Sequence, residues 1–355
     1  FDLIIDDVNQ TTNHFKFLKL SKRLKTAYIT NFDSKLKDFF YLMSYKNIII
    51  NNKEKISYIF FLKLFFFTAL YSFKLKNNLF PFFEDFYKNY LKYDSLFSKV
   101  TSKYLLQESH FNTNEIKNYL FKKHGGKYTA TTQRNILQLN GIGMFIFCDI
   151  IFTLGKKSAE DLNKLGGKVR SSVPVGSLAM EYNYYEKRKR KKNTSPAFDL
   201  LVFCSDHLGE IHSGYNSYYK DYYLHYKWIA KLAQENPNIK IGLKMKRYIK
   251  DKKVLNIFSD FKNVKFVFMK DLFFSNSYFY GEKAKVICTW SSTLAYEFFG
   301  DKKICYFVDP GNRNISFLPN KSFIKKYKLS NYDTFKKTIL SSIFSRKKYN
   351  TRNND

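Results

Sequence analysis

Three consecutive hydroxyl residues, Ser291, Ser292 and Thr293, follow the apolar run "AKVICTW" and open the helical pattern "STLAYEFFG" that stops at Gly300. Where a buried strand turns into a helix, the first N–H groups are unpaired and the positive end of the helix dipole is exposed, a setting that suits phosphate. The hydroxyls therefore have two readings: ordinary helix caps, or ligands of a phosphate oxygen. Glu297 lies four residues past Thr293, one turn down the same face, where its carboxylate would accept bonds from ligand hydroxyls. Three hydroxyls in a row with a carboxylate behind them favour the binding reading.

Other reactive residue types are scattered. Asp149 stands inside the apolar run "GMFIFCDIIFTLG", where burial would raise its pKa; a structural Asp satisfied by backbone N–H groups is the alternative. Glu108, in "LLQESHF", is a second candidate carboxylate, and His124 opens a His-Gly-Gly turn. His207 and His212 are five apart, a poor fit to one helical face, so no metal site is expected from them. Cys148, Cys204, Cys288 and Cys305 form no C-x-x-C pair and read as buried thiols of a reducing compartment. Asp6 and Asp7 follow the first strand but are adjacent, without the Asp-x-Asp spacing of a metal-dependent transferase.

The elements that would position these residues alternate. "FDLIID", "KTAYIT" and "NIIIN" read as strands, residues 56 to 120 as largely helical, and "KVRSSVPVGSL" as a strand leading into a glycine turn at Gly176. Further on, "FDLLVFCSD", "IKIGLKM", "VKFVFM", "AKVICTW" and "KICYFVD" are strands separated by helices, and a last helix covers residues 332 to 344. Such alternation predicts a parallel sheet with right-handed crossovers, and so an α/β protein. Length supports two cores. The basic run Lys187 to Lys192, followed by Ser195-Pro196, marks the boundary: an N-terminal domain over 1–190 and a C-terminal domain over 191–355. That run reads as a solvated linker or as a contact with an anionic membrane or glycan.

Lys and Arg number 61 against 30 acids, a formal charge of +31, so polyanions are the natural partners. An AT-rich codon bias, visible in 38 Phe and 28 Tyr, competes as the source of that charge. "YIFFLKLFFFTALYSF", Tyr58 to Phe73, is interrupted by Lys63 and short for a bilayer crossing; a buried or interfacial helix is expected. No dinucleotide-binding or P-loop glycine fingerprint is present.

"STLAYEFFGDKKICYF" resembles the S-S/T-x-x-x-E element of GT-B glycosyltransferases of bacterial surface carbohydrates, including the β-Kdo transferases of capsule and lipopolysaccharide assembly. "HGGKYTATTQRN", "CDIIFTLGKKSAEDLNKLGGKVRSSVPVGSL" and "LVFCSDHLGE" are similar to further elements of that family in the same order, over about residues 124 to 319. The resemblance implies two Rossmann-like domains facing across a cleft. It implies a metal-independent glycosyltransferase of polysaccharide biosynthesis, with no cofactor beyond a nucleotide-sugar co-substrate, CMP-Kdo being a plausible donor. The C-terminal domain would hold the donor and the N-terminal domain a glycan or lipid-linked glycan acceptor.

By the same likeness Ser291, Ser292 and Thr293 would meet donor phosphate and Glu297 the donor's hydroxyls. Lys244 would face the departing phosphate, Gly176 and Ser177 would line the cleft, and His124 would sit near the reaction centre. Glu108 and Asp149 are the candidate bases. Relatives often carry a His-Pro pair where this chain has Met245-Lys246-Arg247. A cytoplasmic location, with peripheral contact to the anionic inner membrane, follows from such a role. A CDP-glycerol-type polyol-phosphate transferase on the same fold is the alternative enzyme. A non-catalytic protein binding nucleic acid or glycan is the alternative outside catalysis, although the spread of basic residues and the lack of a binding module speak against nucleic acid.

Overall fold

The computed structural model describes residues 1–6, 24–30, 46–49, 58–107, 109–110, 113–133, 146–164, 167–188, 197–204, 219–245, 252–268, 276–290, 292–312 and 321–345. The chain divides into two compact units, Phe1–Leu178 and Ala179–Asp355.

The first unit holds seven strands: β1 (Leu3–Asp6), β2 (Thr26–Thr30), β3 (Lys46–Ile49), β4 (Tyr104–Gln107), β5 (Tyr128–Thr132), β6 (Phe147–Thr153) and β7 (Lys168–Pro174). They pair in the order β3-β2-β1-β4-β5-β6-β7, and every pairing is parallel. The order runs outward from β1 and then reverses to β4, so the gap between the ends of β1 and β4 is the topological switch point, where open α/β sheets bind ligands. The three expected early strands are all present.

The helices of this unit are α1 (Tyr58–Leu75), α2 (Phe80–Lys99), α3 (Glu115–Lys123) and α4 (Lys156–Lys164). Asn114 caps α3 by accepting from the Lys117 N–H at 3.1 Å, with Glu115 in the first turn and Lys122 and Lys123 in the last, each charge complementing the dipole. The helix closes on the His-Gly-Gly turn. The Gly125 N–H bonds to the Lys122 carbonyl and the Gly126 N–H to that of Phe121, with Gly125 at φ +91°, a left-handed cap glycine supplies without strain. The core beneath β1 and β4 joins Ile4, Leu105, Leu120 and Phe121 to Tyr93, Leu96 and Phe97 of the last turns of α2. Apart from that foot, α2 pairs with α1. None of the residues of α1 is buried, so of the two expected alternatives, a buried or an interfacial helix, the buried one gives way. Its apolar side chains surround the helix, and α2 can cover only one side.

In the second unit α5 (Leu178–Arg188) precedes β8 (Phe198–Phe203). α6 (Tyr219–Glu235), β9 (Ile241–Lys244), α7 (Lys252–Ile257), β10 (Val264–Val267), α8 (Asn276–Glu282) and β11 (Ala284–Thr289) follow. The chain continues through α9 (Thr293–Gly300), β12 (Cys305–Val308), α10 (Lys321–Tyr327), β13 (Lys328–Leu329) and α11 (Tyr332–Phe344). The parallel sheet is ordered β10-β9-β8-β11-β12-β13, with its own reversal between β8 and β11. The strands are buried on both faces by helices, which explains their near-continuous Val, Ile and Leu content. Sequence reading put the boundary after residue 190. The division falls at Leu178 because Met180 packs with Phe198 and the Tyr184 hydroxyl donates to Asp301, both partners in the second unit.

All four cysteines are buried and free, as their isolation within apolar runs suggested. Burial pushes the Cys204 thiol up to about 12, which makes it inert as a nucleophile near neutral pH.

Candidate functional site

In the second unit the switch point is built from the ends of β8 and β11. The Thr289 hydroxyl donates to the Phe203 carbonyl at 2.7 Å and ties the two strand ends together. Trp290 follows, buried, and Ser291 lies outside the described residues. Ser292 has extended backbone, φ −154° and ψ 131°, and is the N-cap of α9; its hydroxyl oxygen accepts from the Leu294 N–H at 3.3 Å. The capping reading of Ser292 is therefore realised in this structure. It does not consume the site, since the first four N–H groups of a helix have no intrahelical acceptor. No acidic residue occupies the first turn of α9 to offset its positive end. Thr293 is the first helical residue.

Glu297 is held from outside its own helix. The Tyr278 hydroxyl on α8 donates to Glu297 Oε2 at 2.6 Å. α8 can approach because of Gly281, where a Cβ would stand 2.3 Å from the Phe298 ring of α9. The carboxylate one turn below the helix start thus has a fixed orientation.

Lys244 ends β9, in register with Phe203 of the neighbouring β8, one strand from the reversal. It is buried, its Nζ donates to the Met245 carbonyl at 2.9 Å, and burial pushes its pKa down to about 8, Cys204 opposing slightly. A cation kept dry in this way is under-solvated and would gain from an anion. Lys246, Arg247, His207 and His212 lie outside the described residues.

The first unit separates its candidates. Gly176, at φ +83°, and Ser177 follow β7, and the Gly176 N–H bonds back to Thr153 at 3.3 Å, which places both at the C-terminal edge of the sheet. Asp149 aligns with Thr129, because Ala130 pairs with Ile150. That register is four residues, about 13 Å at strand rise, from Thr153 at the ligand-binding edge. Asp149 is paired with Lys122 at 2.6 Å and accepts from the Thr129 N–H at 2.8 Å and the Thr129 hydroxyl at 3.0 Å. Burial works to raise its pKa, but the Lys122 ammonium and the Thr129 donors outweigh it and hold the carboxyl below its ordinary value. The expected upward shift is thus corrected. The residue is bonded as a structural carboxylate that ties α3 and β5 to β6.

His124 is the C-cap of α3, ahead of the first residue of β5, and its Nε2 lies 2.9 Å from Asp94 Oδ1. It therefore sits at the N-terminal edge of the sheet, opposite the switch point, and the expectation that it stands at a reaction centre is not met by its position. Glu108 lies outside the described residues; its neighbours, Gln107 at the end of β4 and Ser109 and His110 just past it, are buried.

At that same reversal Asp6 and Gln107 are register partners on β1 and β4. Asp6 Oδ2 is bonded to Lys117 Nζ in a fully buried pair, and Gln107 Nε2 donates to Asn118 Oδ1 at 2.9 Å. Asp6 Oδ1 and Gln107 Oε1 have no hydrogen-bond donor among the described residues. From sequence Asp6 was weighed only as half of a metal pair with Asp7 and set aside, and Gln107, Lys117, Asn118 and His110 were not singled out. The signal, a polar residue ending each of two apolar strands, becomes legible only when the strand order is known. Among the described residues no cluster of three metal-ligating side chains occurs.

No protein-family model and no curated protein matches the chain. Solved structures do. UDP-GlcNAc 2-epimerase from Neisseria meningitidis, bound to UDP-GlcNAc, superposes with TM-score 0.57 at 10% identity, over 96% of this chain and 90% of that one. UDP-GlcNAc 2-epimerase from Methanocaldococcus jannaschii gives 0.56 at 11% identity, over 98% and 93%. MnaA from S. aureus, solved with UDP, gives 0.56 at 12% identity, over 97% and 88%. At such identities the likeness is one of fold: the chain is a two-unit, Rossmann-like α/β protein of GT-B type.

Proposed function

We propose that the protein is a nucleotide-sugar enzyme whose second unit holds the donor at the start of α9. The observation that carries the proposal is a serine-capped helix N-terminus, free of acids in its first turn, at the β8/β11 switch point, with Glu297 fixed one turn below by Tyr278. Phosphate would lie against the helix start, where Ser291, Ser292 and Thr293 and the dipole favour negative charge. Glu297 would accept from ribose or sugar hydroxyls. Lys244, once an anion approaches, would stabilise charge on the leaving phosphate without a metal. A uridine nucleotide is the first donor to test, because solved structures of the same fold were obtained with UDP-GlcNAc and with UDP. A CMP-Kdo donor rests on the sequence likeness alone.

Transfer of the sugar to a glycan acceptor is the first reading. The acceptor would bind at the first unit's reversal, where Asp6 Oδ1 and Gln107 Oε1 have no hydrogen-bond donor among the described residues. Epimerisation of the nucleotide sugar is the second reading, favoured by the full-length likeness to 2-epimerases. Incubation with a UDP-sugar panel separates them. A transferase releases UDP only when an acceptor is present, whereas an epimerase converts the sugar with no acceptor. Stabilisation by none of UDP, CDP, CMP or GDP in thermal-shift measurements would remove the proposal for both.

A further inference from the structure

α1 is long and apolar enough, by length and composition, to cross a membrane, yet none of its residues is buried. One strip of it packs on α2 through an aromatic ladder: Phe60 on Tyr90 at 4.0 Å, Phe61 on Phe83 and Tyr87 at 5.2 Å each, and Phe65 on Phe80 at 5.2 Å. The remainder faces solvent, with Phe73 86% and Phe66 68% exposed. At about 100° per residue, exposed Tyr58, Leu62, Phe66, Leu70, Phe67 and Tyr71 cover well over half the circumference. The hairpin turn is itself ordered. The Lys76 N–H bonds to Phe73 and the Asn77 N–H to Ser72, with Lys76 in the left-handed region at φ 51°. Beyond the turn Phe80 and Phe82 extend the same exposed surface.

We propose that the α1–α2 hairpin docks this protein on an anionic lipid surface, its tip lying in the headgroup and upper acyl region. Three observations select a lipid surface over a protein partner. A partner chain covers one face of a helix, whereas acyl chains around an inserted hairpin tip accept apolar side chains over most of the circumference. α1 carries Lys63 and Lys74 and no acid, Lys76 follows in the turn, and no carboxylate among the described residues pairs with any of the three. The whole chain is strongly basic. Lysines among exposed aromatics are the composition of an interfacial anchor, with the ammonium groups reaching phosphate while their stems lie with the apolar surface. A spanning arrangement is disfavoured by topology. α2 must return to β4, carries Glu84, Asp85, Lys88, Lys92 and Asp94, and has its foot in the core of the first unit.

The test is co-sedimentation of the full chain with vesicles of phosphatidylcholine, with or without phosphatidylglycerol. The expected result is binding to the anionic vesicles that falls at least tenfold in the triple variant Phe66→Asp, Leu70→Asp, Phe73→Asp. It should fall several-fold in Lys63→Gln, Lys74→Gln, Lys76→Gln or at high salt. All six positions are outside the core and outside the nucleotide site, so melting temperature and nucleotide-induced thermal shift should be unchanged, which keeps this test separate from the functional proposal. Absence of wild-type binding, or equal binding by the aspartate variant, overturns it. So does a self-association that the same variant abolishes while vesicles stay unbound, which would assign the surface to a second copy. Retention through alkaline carbonate washing would mark a spanning helix and overturn it as well.

Discussion

The Tyr278 hydroxyl donates to Glu297 Oε2 at 2.6 Å, joining the helix before β11 to the helix after it. The bond fixes a carboxylate one turn below the α9 helix start, and it gives the first prediction. Tyr278→Phe removes a single donor worth about 1 kcal/mol. Nucleotide-sugar affinity, measured by titration calorimetry, should fall about three- to tenfold, with little change in melting temperature. Unchanged affinity would mean that Glu297 does not touch the ligand.

Ser292 has two expected roles, and its substitutions separate them. Ser292→Ala loses the cap on Leu294 and should cost about 1 kcal/mol, lowering the melting temperature by about 2–4 °C. Turnover should be lost far beyond what that destabilisation explains, as it should in Glu297→Ala. A variant that melts earlier but turns over normally would leave Ser292 as a cap and nothing more.

Lys244 makes stability and binding depend on pH in opposite senses. Its folded pKa of about 8 lies below the ordinary 10.5 because the charged form is desolvated. The unfolded chain therefore holds the proton more tightly between those values. The stabilising effect is full above about 10.5 and is lost as pH falls through about 8. Lys244→Met should erase the rise in stability from pH 8 to 10.5 seen in denaturant titrations. Nucleotide affinity of the wild type should fall as pH rises through 8, while the variant should bind weakly at every pH. A variant with the wild-type pH profile would refute the role.

The buried Asp6–Lys117 pair braces the first unit's reversal, with the ammonium 5.4 Å from the Tyr93 ring centre. Lys117→Met strands a buried carboxylate and should cost about 3–5 kcal/mol in urea unfolding. Adding Asp6→Asn should recover part of the loss. A loss under about 1 kcal/mol would show that the pair is solvated in practice.

The strands were legible wherever residues alternate little and stay apolar: "FDLLVF", "IGLK" and "AKVICT" lie within single strands because both sheet faces are covered. The helix start at Ser292 was legible from residue type alone, since caps obey local chemistry. Long-range relations were not legible. Tyr278 reaches Glu297 across a strand, and Asp6 meets Gln107 only because the sheet reverses direction, so neither pairing leaves a spacing in the chain. α8, of seven residues, was missed because it is too short to show a period. Asp149 was misjudged in its shift because the cation that reverses it, Lys122, stands on a different element. α1 was recognised as apolar, but its exposure depended on how little of α2 was available to cover it.

The central claim, that the start of α9 holds a nucleotide-sugar phosphate, is tested most directly by nucleotide-induced thermal stabilisation of the wild type beside Ser292→Asp. Aspartate is as good an N-cap as serine and suits the helix dipole, so the variant should keep or exceed the wild-type melting temperature. Its carboxylate would repel phosphate at the same spot. The account predicts that UDP or a UDP-sugar stabilises the wild type, by about 2.7 kcal/mol at a hundredfold excess over Kd, and leaves Ser292→Asp unaffected. Equal stabilisation of both proteins would contradict it.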